Sequence, residues 1–209
     1  MVFHTVDAAR KFWCVPTHSW YYCVHAFLQC RVKGRHFTIP LLLQDPDLVT
    51  SLGAEPSLAI WRLAPQDYHR FHSPVSGTVR KITHIPGEYY TVNPQAVNED
   101  LDVFTANTRS VAVLDAKLSK DVETTVPIAF VAVGALLVGS ICWEKTADQD
   151  ILRAENLGYF AYGGSTVIGV FPQSSNIKWD EDLVKASEGG IEVLVRAGEK
   201  IAVANRGGT

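Results

Sequence analysis

From Ser57 onward, short apolar runs alternate with Pro, Gly and Asp punctuation. The runs are Leu58–Leu63, Gly77–Ile82, Tyr89–Val92, Ser110–Leu114, Ile128–Val133, Leu136–Trp143, Thr166–Phe171 and Ile191–Val195. Regularly spaced short strands with turn signals between them predict a β-rich α+β fold, and a barrel or sandwich in particular. Helices are expected at Thr5–Trp13 and Ile39–Leu52, with a helical turn at Pro94–Glu99. A degenerate echo links Ile85–Tyr89, Leu152–Leu157 and Val195–Ile201, each a tight turn followed by a return to strand. Such turns are common in small swapped β-barrels.

The longest uncharged stretch, PIAFVAVGALLVGSICW at 127–143, is shorter than the ~20 residues of a spanning helix. Its glycines and β-branched residues predict one or two buried strands instead. The N-terminus lacks a basic region followed by a long apolar one, so it is not a secretory signal.

Composition narrows the picture further. The chain has 209 residues, 47% of them hydrophobic, enough for one domain with a sizeable core. A net charge of −3 gives no basic excess for nucleic acid. The four cysteines, Cys14, Cys23, Cys30 and Cys142, form no CxxC pair, so neither a zinc site nor a disulfide framework is indicated. The other histidines, His4, His18, His25, His36 and His84, have no ligand spacing, and no metal site is expected.

Two segments carry candidate chemistry. One is Gly163-Gly164-Ser165-Thr166, which opens the apolar run at Val167. The other is Asp67-Tyr68-His69-Arg70-Phe71-His72, some ninety residues upstream. A serine hydroxyl is a poor nucleophile until a base takes its proton, and histidine is the usual base near neutral pH. On an extended segment, Asp67 and His69 share one face and His72 takes the other, unless a turn at Arg70-Phe71 rotates them. The residues alone leave open which histidine reaches Ser165.

These motifs resemble the phosphatidylserine decarboxylase family. Further matching blocks follow in order: 72–77, 86–94, 104–109, 133–141 and 179–183. The resemblance implies a pyruvoyl-dependent carboxy-lyase that makes phosphatidylethanolamine and CO2. It implies self-cleavage between Gly164 and Ser165, giving fragments 1–164 and 165–209 that stay packed together. Ser165 then becomes the pyruvoyl cofactor, which takes up the amine of a serine head group and accepts the electron pair left by CO2. By the same match, His72 is the base that activates Ser165, and His69 sits beside the pyruvoyl group. Asp67, Gly163 and Thr166 support the site. A relative acting on a soluble amino acid, such as an aromatic one, would use the same cofactor.

The resemblance covers most of 7–204 apart from residues 14–31, and implies one domain over 1–209. Trp13 and Val32 are continuous in family members, so 14–31 reads as an insertion, either a translated intron or an ordinary loop of this chain. The family's Pro-Ala-Asp or Val-Asp-Gly segment, which belongs upstream of Lys33-Gly34, is not among these residues. The expectation is an N-terminally truncated member lacking an orienting carboxylate, and an inactive chain is one reading of it. Ala154 stands where the family usually has glycine. Ser73–Val79 also resembles the opening strand of lipoyl carriers, with Lys117 as the only loose candidate for modification. For location, the implied reading is cytoplasmic or peripheral at an endomembrane or mitochondrial membrane. The family resemblance also admits a homodimer of cleaved pairs.

Overall fold

The computed structural model describes residues 2–5, 21–27, 31–32, 35–36, 38–64, 67–91, 102–118, 124–135, 140–161 and 165–204. The strands are β1 (Val2–Thr5), β2 (Tyr21–Phe27), β3 (Arg31–Val32), β4 (Arg35–His36), β5 (Ser57–Leu63), β6 (Arg70–His72), β7 (Gly77–Ile85) and β8 (Arg109–Ala116). They continue with β9 (Val126–Val133), β10 (Ile141–Trp143), β11 (Asp150–Ile151), β12 (Asn156–Phe160), β13 (Ser165–Phe171), β14 (Ile177–Trp179), β15 (Val193–Arg196) and β16 (Lys200–Ala204). The helices are α1 (Ile39–Leu43), α2 (Pro46–Leu52), α3 (Val103–Ala106) and α4 (Glu181–Glu188).

Eight strands form one antiparallel sheet in the order β11-β7-β8-β9-β13-β5-β2-β15, curled into a half-barrel. Both faces of its centre are covered, and alternation sorts the side chains between two cores. Val111, Val113, Val131, Ile168 and Val170 pack with Leu42, Leu48, Leu52 and Phe104 under the short helices. Ala112, Leu114, Phe130, Val167 and Phe171 face the opposite core. That second core is closed by the small sheet β10-β12-β6, which supplies Phe71, Leu157 and Phe160. It is also closed by β14, β16 and α4, with Trp179, Ile201 and Leu183. The β-rich α+β expectation therefore holds, with few helices.

Four local expectations change. The single helix expected at Ile39–Leu52 is two. Gln44 turns left-handed at φ 50 and Asp45 is extended, as the residue before Pro46 must be. Asp45 then caps α2, its Oδ1 accepting from the Leu48 N–H at 3.2 Å. The strand expected at Tyr89–Val92 is absent over 89–91, and Val92 lies outside the described residues. There the buried Asn107 side chain replaces a neighbouring strand. Its Oδ1 accepts from the Tyr90 N–H at 2.9 Å, and its Nδ2 donates to the Tyr90 and Gly134 carbonyls, both at 2.8 Å. Of Leu136–Trp143, only Ile141–Trp143 is a described strand, and 136–139 lie outside the described residues. Thr5 ends β1 instead of opening a helix. Residues 6–13 and 94–99 lie outside the described residues. Tyr21–Phe27, inside the 14–31 segment, pairs with β5 and β15.

Two of the three echoed turns share one design. In Leu152–Glu155, the Leu152 N–H donates to Glu155 Oε2 and the Glu155 N–H returns to the Leu152 carbonyl, at 2.7 and 3.0 Å. In Arg196–Glu199, the same two bonds measure 2.8 and 3.0 Å. The third residue of each is left-handed: Ala154 at φ 67 and Gly198 at φ 88. The turn at Ile85–Tyr89 is tied instead to the chain around Asn107, where Glu88 exchanges backbone bonds with Ala106 and Thr108. Among the described residues, no helix is long and apolar enough to cross a membrane.

Candidate active site

Ser165 opens β13, opposite Leu63 of β5. Its alternation puts the hydroxyl on the same face as Val167 and Phe171, toward the aromatic core. The residue is 1% exposed, and its Oγ has no hydrogen-bond partner among the described residues. An unpaired buried hydroxyl costs on the order of 1–3 kcal/mol. The Thr166 hydroxyl and the Trp61 indole N–H are likewise buried without a partner among the described residues. Thr166 is equally buried but faces the other way, with Ile168 and Val170. Gly163 and Gly164 lie outside the described residues.

The histidine segment reaches the same corner of the fold. β5 ends at Leu63, and the chain turns at 64–67, where the Asp67 carboxylate accepts from the Ala64 N–H at 2.8 Å. Asp67 also supports His69, through its backbone carbonyl, which accepts from His69 Nδ1–H at 2.7 Å. A carbonyl can only accept, so a proton sits on Nδ1, and the other ring nitrogen is Nε2. That Nε2 is buried with no partner among the described residues. The Phe160 N–H donates to the His69 carbonyl at 2.9 Å, and Phe160 lies just upstream of the Gly-Gly-Ser turn.

Arg70–His72 is strand, so the chain makes no turn at Arg70-Phe71, and His69 precedes the strand. Phe71 points into the core between Phe130, Trp143 and Phe160, with ring centroids 5.0–5.7 Å away. Arg70 points out to Glu144 at 2.8 Å and lies over the Tyr159 ring. Gly158 is required beside this cluster, because a Cβ there would stand 2.2 Å from the Cys142 carbonyl.

His72 is bound at both ring nitrogens. Nδ1–H donates to the Ala154 carbonyl at 3.0 Å, and Nε2 meets the Tyr68 hydroxyl at 2.8 Å. The carbonyl again fixes the tautomer, leaving Nε2 to accept from the Tyr68 O–H. Burial lowers the His72 pKa below the ordinary histidine value, so the neutral base persists into mildly acidic solution.

Tyr68 and the Ala154 carbonyl are the parts that residue patterns do not reveal. Tyr68 was visible only as part of a motif, and Ala154 lies 82 residues from His72. Ala154 also occupies a position that its sister turn gives to glycine. Replacing Ala154 by glycine should raise stability by about 1 kcal/mol, because a left-handed alanine costs roughly 1–2 kcal/mol and glycine returns part of that in chain entropy. A higher urea midpoint with an unchanged slope is the expected reading.

Comparison with known proteins bears on this arrangement. The model of the phosphatidylserine decarboxylase family matches residues 17–203. Phosphatidylserine decarboxylase proenzyme 2 of Komagataella phaffii is 40% identical over 96% of this chain and 18% of its own length. The rice (Oryza sativa subsp. japonica) protein of the same name is 41% identical over 99% of this chain and 29% of its own length. A phosphatidylserine decarboxylase proenzyme of Desulfitobacterium hafniense is 36% identical over 85% of this chain and 57% of its own. This chain therefore spans less than a third of the yeast and rice proteins.

Proposed function

Because the chain belongs to the phosphatidylserine decarboxylase family, we propose that it matures by cutting itself between Gly164 and Ser165 and then decarboxylates phosphatidylserine. The observation that carries this reading is the Ser165 hydroxyl, buried at the start of β13 and without a hydrogen-bond partner among the described residues. The buried, unpartnered Nε2 of His69 belongs to the same corner. Orphaned polar atoms of this kind fit a site built around a group derived from Ser165.

In the cleavage step, the family match assigns the Ser165 proton to Nε2 of His72, which must turn from its Tyr68 partner to receive it. The Ser165 oxygen bonds to the Gly164 carbonyl carbon, the peptide C–N bond breaks, and the nitrogen gains a proton. Elimination takes the Ser165 Cα proton and breaks the Cβ–O bond, leaving Gly164 as the new carboxylate of the long fragment and a dehydroalanine whose imine form is hydrolysed by water with loss of ammonia. The pyruvoyl group supplies a carbonyl that takes up the substrate amine and accepts the electron pair freed with CO2. His69 holds its basic nitrogen at the same corner, placed to carry a proton to the decarboxylated carbon. The apolar wall of Phe71, Phe160 and Leu63 keeps that region dry, which strengthens each electrostatic contact. Phosphatidylserine is the substrate this reading assigns, presented at a membrane surface.

Intact mass spectrometry of the purified full chain tests the first step. Two species should appear, 1–164 and 165–209, the second starting with a pyruvoyl group. Incubation with phosphatidylserine vesicles should then release CO2 and an ethanolamine-headed lipid. A single uncut mass after prolonged incubation overturns the reading.

The depressed His72 pKa sets the pH dependence. The base works in its neutral form, so the cleavage rate is full above its pKa and is lost as pH falls through it. That pKa lies below the ordinary value of about 6.5. At pH 6.5 the rate should therefore keep more than half of its plateau. A half-maximum above pH 6.5 in a pH series of fragment formation would remove His72 from the role.

A further inference from the structure

The grip on His72 is more specific than general base catalysis requires. The rings of Tyr68 and His72 stack at 13° with centroids 5.6 Å apart, while the Tyr68 hydroxyl meets Nε2. On the other side, the Ala154 carbonyl receives Nδ1–H. The position of that carbonyl is tied to the strand that carries His72. The Ala154 N–H donates to the Ser73 carbonyl, and the Ser73 N–H donates to the Glu155 carbonyl, both at 2.8 Å. Ser73 is the next residue after His72, so the left-handed turn at Ala154 is locked against its neighbour. The ring is thus held at both nitrogens and on one face.

We propose that Tyr68 is a positioning residue for His72, and that its hydroxyl and the Ala154 carbonyl hold the imidazole as the Nδ1–H tautomer with Nε2 as the basic atom. The proposal rests on the reading of His72 as the cleavage base for its kinetic consequence, but not for its geometry. A tyrosine hydroxyl donates to the neutral Nε2, and after that nitrogen takes a proton it turns to accept from Nε2–H. One residue therefore serves both protonation states, with no net transfer of its own. Phenylalanine keeps the stacked ring and can do neither. Among the described residues, Arg70 and Glu144 act on this histidine in opposite directions and pair with each other.

The test is long-range proton–nitrogen correlation on the full chain with nitrogen-labelled histidine, His72 being assigned by its loss in His72→Gln. In the unsubstituted chain at neutral pH, His72 should show a pyrrole-type Nδ1 and a pyridine-type Nε2. In Tyr68→Phe, the tautomer should persist because Ala154 still fixes it, and the Nε2 resonance should move downfield as its donor is lost. Formation of the 1–164 fragment should slow roughly tenfold. An Nε2–H tautomer in the unsubstituted chain overturns the proposal, and so does an unmoved Nε2 resonance in Tyr68→Phe. If neither protein yields a fragment, the cleavage reading falls, while the nitrogen shifts still decide the positioning.

Discussion

Replacing Ser165 by alanine should leave one uncut chain of 209 residues, however long it is incubated. Alanine removes the oxygen that attacks Gly164 and that must leave Cβ in the elimination, so no residual pathway to the cofactor remains. The loss is complete, unlike a removed base, which typically leaves some turnover through the other groups of a site. The fold should survive, because the Ser165 hydroxyl makes no hydrogen bond among the described residues. Removing an unpaired buried hydroxyl is expected to be neutral or slightly stabilising. Mass spectrometry together with a urea midpoint no lower than that of the unsubstituted chain is the expected pair of results. A cleaved Ser165→Ala chain would assign the cut to a contaminating protease.

Replacing Arg109 by methionine should cost roughly 3–5 kcal/mol, a large share of a typical domain's total stability. Arg109 is 2% exposed and is the first residue of β8. Its Nε donates to the Leu42 carbonyl, Nη1 to the Thr105 and Asn107 carbonyls, and Nη2 to the Leu41 carbonyl, over 2.7–3.0 Å. These carbonyls lie at the ends of α1 and α3, where helices leave acceptors without internal partners. The planar fork of one guanidinium thus closes two helix ends onto the sheet, which a lysine cannot reproduce. Methionine fills much of the volume and strands all four acceptors. Denaturant unfolding of Arg109→Met should show the midpoint fall, and Arg109→Lys should recover less than half of the loss. A midpoint change worth under 1 kcal/mol in Arg109→Met would show that water takes over these acceptors.

The buried strands were legible because their residues announce them. Val111–Leu114 and Ile128–Val133 are apolar at every position, as strands covered on both faces must be. The break between α1 and α2 was also written in the chain, as Asp45-Pro46, and an apolar periodicity running through it hid the signal. The missing strand at Tyr89 was not legible, because the Asn107 side chain that satisfies Tyr90 arrives from a different element. At the candidate site, the extended course of Arg70–His72 fits the reading of that segment as strand, while His69 lies before it. The unpartnered state of Ser165 among the described residues, and the grip of the Ala154 carbonyl on His72, depend on residues far apart in the chain. No local pattern carries that information.

The placement of β13 bears on the life of a processed molecule. This strand pairs along one side with β5 and along the other with β9, while β15 and β16 of the same C-terminal stretch pair with β2 and β1. A cut before Ser165 therefore produces two polypeptides braided into one another, with no seam along which they part. Assembly is unimolecular while the chain is whole and bimolecular ever after, so recovery from denaturation becomes concentration-dependent. A molecule so cut would have had one opportunity to fold as a single strand, and its endurance afterwards would be governed by how slowly it opens.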